Sequence, residues 1–180
     1  MSLPPPLEVL WNELEARRAE VLGEVKGLSQ TQADWRPSER DWSVGEIIQH
    51  LTLAEVATGK LTSKLLKEAG AAFAPFPRDL TAFAPLPAWP VETRAEAPPV
   101  VRPEYGHPID RLLAEITAAR ERSRQSLERV AAVDPSPLVW RHFALGELNL
   151  AQWWMLQARH DADHLAQLRR VKAEPGFPNR

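Results

Sequence analysis

The chain contains no cysteine. That excludes disulfides, thiolate zinc sites and a cysteine nucleophile, and leaves His, Asp and Glu as the only builders of a transition-metal site. It also lacks any run approaching the roughly 18 apolar residues of a membrane span. Charge of one sign is missing too: 22 Lys and Arg face 24 Asp and Glu, for a net charge of −2. With no Lys/Arg-rich run, neither nucleic acid nor a membrane is expected as a partner. The opening MSLPPPLEVLWNELEARR has no basic segment followed by an apolar core, so it does not read as a signal peptide, and a cytoplasmic protein is expected. No repeat of 20 to 50 residues and no alternating strand pattern is apparent.

What is present is an ordinary globular composition, 44% hydrophobic and 26% charged over 180 residues. That length suits one domain, 1–180. Seventeen prolines and seven tryptophans are many for such a chain.

Four segments carry helical periodicity. In the first, about 7 to 28, Leu7, Leu10, Leu14, Val21, Val25 and Leu28 follow three-and-four spacing behind Pro4 to Pro6. A polar loop then leads to Ser43-Val44-Gly45-Glu46, which fits a capping box, with Trp42 placed to pack back as a staple. The second helix runs to about Ala69, with Ile47, Leu51, Ala54, Thr58, Leu61 and Leu65 as its stripe and His50 inside that stripe. The third extends from Pro108 to about Val133; its RERSRQSLER reads mainly as a solvated face. Asn149 and Gln152 suggest another capping box before a fourth helix to about Lys172, whose inner face takes in Leu150, Trp153, His160, His164 and Val171.

Between the second and third helices, residues 70–108 hold nine of the prolines, which forbids regular helix. Phe73, Phe76, Phe83 and Trp89 argue against a flexible linker and for an ordered loop packed over the rest. The fold class expected is all-α: a four-helix bundle with a long proline-rich connection that lets helices two and three run parallel.

His160 and His164 are four apart on one helix, where Cβ atoms lie about 5–6 Å apart, so both rings can meet one ion. His50, on the inner stripe of another helix, is the candidate third metal ligand. Three neutral imidazoles leave positions for water or substrate, as in catalytic sites. A histidine on an inner stripe is, taken singly, more often a hydrogen-bonded core residue; three of them, two at ligand spacing, shift the balance. Gln167, Gln157 and Glu55 are candidates for the outer shell of the site. Asp161 lies about 100° off the His160 face and is disfavoured as a ligand. His107 and His142 read as loop residues. The H-E-x-x-H of zinc peptidases is absent, with aspartates between the paired histidines.

Trp35-Arg36-Pro37, then Asp41-Trp42-Ser43-Val44-Gly45-Glu46-Ile47-Ile48-Gln49-His50-Leu51 with Glu55, and the closing stretch from Leu145 through Trp153, His160, His164 and Gln167, resemble the DinB-like superfamily, in particular its branch related to bacillithiol transferases. The resemblance implies a four-helix bundle, often dimeric, with a His-triad site for nickel, zinc or a similar divalent ion, here at His50, His160 and His164. Three imidazoles admit iron and manganese as well. It further implies transfer of a low-molecular-weight thiol to a small electrophile, or hydrolysis; the thiol would arrive with the substrate. The competing expectation is a non-catalytic bundle, a stress protein that binds a ligand or partner with a structural metal ion or none.

Overall fold

A computed structural model describes residues 2–70, 74–77, 81–89 and 96–179. Four long helices are present, α1 (Pro5–Val25), α3 (Val44–Ala69), α4 (Ile109–Val130) and α5 (Leu150–Ala173), with a short α2 (Gln30–Asp34) and a hairpin of β1 (Val139–His142) and β2 (Gly146–Asn149). Their ends follow local chemistry. Proline occupies the first positions of α1, and Gly27, at φ 74°, turns the chain away just after it. Capping boxes at Ser43/Glu46 and Asn149/Gln152 start α3 and α5. The segment expected to be a polar loop holds a third such box, Ser29/Gln32, which opens α2.

The helices form a ring in which α1 packs on α5, α5 on α3, α3 on α4 and α4 on α1. Contacts fix the directions. Gly45 approaches Leu112, Gly59 approaches Ser126, and Arg129 donates to Ser63, so α3 and α4 run parallel. Thr62 meets Trp154 near one end of α3 and His50 meets His160 near the other, so α3 and α5 are antiparallel. Lys172 reaches Glu24 and Arg18 reaches Asp161, which makes α1 and α5 parallel. A parallel α3–α4 pair obliges the chain to travel back along the whole of α3, about 39 Å for its 26 residues. The proline-rich connection makes that journey. Phe76 and Phe83 pack on the core at one end of the bundle, Leu86 and Trp89 pack with Trp153 against a small cluster of Leu145, Leu148 and Leu156, and a 3-10 turn at Pro99–Val101 reaches α3. Phe73 lies outside the described residues.

Two apolar clusters fill the bundle, one around Leu7, Leu14, Leu127, Leu150 and Trp154, the other around Val21, Ile47, Ile48, Ile116 and Leu168. Trp154, not Trp153, is the fully buried tryptophan of α5, and its indole N–H donates to Thr62 Oγ1 at 3.1 Å. The absence of strands expected from sequence is corrected by the hairpin, which pairs Val139 with Asn149 and His142 with Gly146. Four-residue strands with one inward residue each, His142 and Leu148, leave too short an alternation to stand out. Gly146 has φ 76°, a conformation that glycine takes without strain.

Candidate metal centre

Ser43 and Glu46 satisfy the first backbone donors of α3, and Arg36 holds the Glu46 carboxylate through Nε and Nη2. This fixes the start of α3 and, one turn on, His50. From α5, His160 and His164 project toward the same point as the spacing requires. His50 Nε2 lies 3.0 Å from His160 Nε2, and His164 Nε2 lies 3.1 Å from it. One ligand nitrogen from each ring lies within 4.8 Å of the other two, which makes this a group able to hold a metal ion. Trp42 covers one side, its ring 4.7 Å from that of His50 and 6.2 Å from that of His164.

The outward nitrogens set the tautomers. His50 Nδ1 is 2.7 Å from the carbonyl oxygen of Val101, an atom that only accepts, so Nδ1 carries the proton and Nε2 the lone pair. His164 Nδ1 is 2.7 Å from Gln167 Oε1 and is fixed in the same way. Lone pairs from two helices thus point at His160 Nε2. Burial, reinforced by the His164 charge and opposed by the Val101 hydrogen bond, pushes the His50 pKa down to about 4. Burial, then His164 and His50, holds His160 well below its ordinary value, and burial also lowers His164. The rings are neutral at pH 7. A proton on His160 Nε2 cannot lie on the line to both neighbours at once, whereas a divalent cation meets all three lone pairs. Nitrogens bonded to one ion at about 2.0–2.1 Å and at near right angles stand roughly 3 Å apart. The donor set therefore fits a metal ion.

The structure brings together His50, His160, His164 and Gln167. It places the other two outer-shell candidates elsewhere. Gln157 donates to Thr58 Oγ1 at 3.0 Å, one turn away from the rings. Glu55 lies in a separate ionic cluster, where it accepts from Arg18, Arg120 and Ser123. Asp161 is in that cluster as well, held by Arg18 through Nε and Nη2, both at 3.0 Å, and by Arg120. Burial pushes Glu55 up, but the two arginines outweigh it and keep the carboxyl below its usual range. Arg120 and Ser123 are buried, which corrects the solvated reading of the start of RERSRQSLER. A polar residue standing where the stripe calls for an apolar one was the available signal: Arg18 between Leu14 and Val21, Arg120 between Ile116 and Leu127. His107 stays outside the triad, beside Glu104, while His142 is buried at the end of β1.

An up-down-down-up bundle with three histidines converging between two of its helices defines a class of all-α protein with a candidate metal centre in its wall. The DinB superfamily model matches residues 13–168, and the chain belongs to that superfamily. It is 25% identical over 157 residues to the uncharacterized protein YuaE of Bacillus subtilis (strain 168), covering 86% of this chain and 92% of that one. The crystal structure of TT2238, a four-helix bundle protein, superposes with a TM-score of 0.60 at 20% identity, over 91% of this chain and 98% of that one, which shows the shared fold.

Proposed function

We propose that the chain is a metal-dependent enzyme in which His50, His160 and His164 hold a divalent ion, nickel or zinc in first place. The reaction is transfer of a small thiol to an electrophile, with hydrolysis as the second form. The observation that carries this reading is the convergence of three ring nitrogens, two with lone pairs fixed by Val101 and Gln167. A bound divalent ion supplies a Lewis acid that lowers the pKa of a thiol or water at neutral pH. The protein's own part is to hold the ring nitrogens deprotonated, to aim them, and to keep Trp42 against the His50 and His164 rings. With no cysteine in the chain, the thiol is a co-substrate.

The test is metal analysis of untagged protein beside His160→Ala, followed by turnover with a small thiol and an electrophile before and after chelation. Stoichiometric metal that disappears in the variant, with activity that follows it, supports the reading. Metal retained undiminished in His160→Ala defeats it.

A further inference from the structure

Next in sequence to the triad stands a polar group that the metal centre does not use. Arg159 precedes His160 on α5. Its Nη1 donates to the carbonyl of Pro87 at 2.8 Å, and its guanidinium carbon stands 5.1 Å from the centre of the Trp89 ring. Its Nε and Nη2 are shielded from solvent and meet no acceptor among the described residues. Buried guanidinium donors left unmet are costly, and a charged group raises that cost. Nε and Nη2 form one edge of the guanidinium fork. By that same pair Arg18 grips Asp161 and Arg36 grips Glu46 in this protein, each time two-pronged on a carboxylate. The free edge of Arg159 is the matching half of such a pair, with the other half missing.

The surroundings are aromatic. Trp89, His142, Phe143 and Trp153 form a connected group, with His142 5.6 Å from Trp89 and 5.3 Å from Trp153. His142 Nδ1 accepts from the backbone N–H groups of Ala144 and Leu145, so the ring's proton is on Nε2. These four rings thus carry no charge.

We propose that the Nε/Nη2 edge of Arg159 clamps a carboxylate carried on an aromatic or apolar body, and that this is how the substrate is held next to the histidine triad. Its meaning as a substrate anchor rests on the metal-centre reading above; the clamp itself does not. Arg159 is on this view a binding residue, supplied by α5 and steadied by the proline-rich connection through Pro87 and Trp89.

Calorimetric titration of the full chain with phenylacetate, its neutral amide phenylacetamide, and inorganic phosphate tests the clamp, with metal content measured on the same samples. Phenylacetate is expected to bind saturably and the amide at least roughly tenfold more weakly, the size of one lost charge-assisted hydrogen bond. Arg159→Lys, which keeps the charge but not the fork, and Arg159→Gln should each weaken phenylacetate by a similar factor at unchanged metal content. Equal binding of acid and amide by the unmodified chain overturns the proposal, and that comparison needs no variant to fold. So does phenylacetate binding that survives Arg159→Gln, or phosphate that binds as tightly as the carboxylate. Arg159-dependent binding in a chain that holds no metal would sustain the clamp and sink the metal centre; metal without Arg159-dependent binding would do the reverse.

Discussion

Two polar clusters occupy neighbouring positions inside this bundle, and they are built in opposite ways. The ionic one joins Arg18, Glu55, Arg120, Ser123 and Asp161 from all four long helices, with two positive charges set against two negative ones. The other joins three neutral imidazoles whose lone pairs face one another. They share helices almost residue for residue: Asp161 follows His160, and Glu55 lies five residues beyond His50. The ionic cluster finds its counter-charges within the chain, so its role is to join helices. The histidine cluster has its charge complement missing, and a group of that kind is suited to a guest. The difference teaches that burial of polar groups marks a site only where the protein leaves their chemistry incomplete.

Breaking the closed cluster should have the largest effect on stability. Asp161→Ala leaves two buried guanidinium groups facing one carboxylate, and a loss of about 3–5 kcal/mol is expected by urea unfolding. His160→Ala in metal-free protein should cost less, because it removes a ring from a group with no charge to orphan; a milder loss, or none, beside abolished metal binding sharpens the contrast. A cost as large as that of Asp161→Ala would erase it.

Acid should act next, through the histidines. His50 and His142 are both held at about 4 against an ordinary 6.5, chiefly by burial. Below pH 6.5 the unfolded chain takes up protons that the folded one refuses, so stability is full above that value and falls as pH drops toward 4. Chelated protein followed by chemical unfolding from pH 7 to 4.5 should lose stability progressively across that window. Flat stability over this range would show that the rings are not held neutral.

Gln167→Leu removes the acceptor of His164 Nδ1 and frees the ring to turn. Metal affinity should weaken by about 10–100-fold, read by competition with a chromogenic chelator, while metal-free stability barely moves. The smallest effect belongs to an exposed pair outside both clusters, Lys64–Glu68. Its removal should change stability by less than about 0.5 kcal/mol.

Much of this was legible in the linear chain. The helix starts follow from capping boxes that lie within four residues, and the stripes from a period that any helix must obey. His160 and His164 could be paired on sight for the same reason. The hairpin escaped notice because its strands are short. The ionic cluster escaped because Arg18 and Arg120 showed only as interruptions in apolar stripes, with partners up to 143 residues away. The carbonyl of Val101, which fixes His50, is a backbone atom and leaves no mark on residue type.

The amino-acid order alone thus determined which segments coil, where they begin, and which face each one hides, since these depend on forces acting over one or two turns. Only the folded arrangement decided that α3 would lie antiparallel to α5 and parallel to α4, that His50 would meet a ring 110 residues further along, and that Asp161 would turn to the arginines while His160 turned away. Those outcomes depend on how whole helix faces pack against one another, and no short stretch of sequence contains that information.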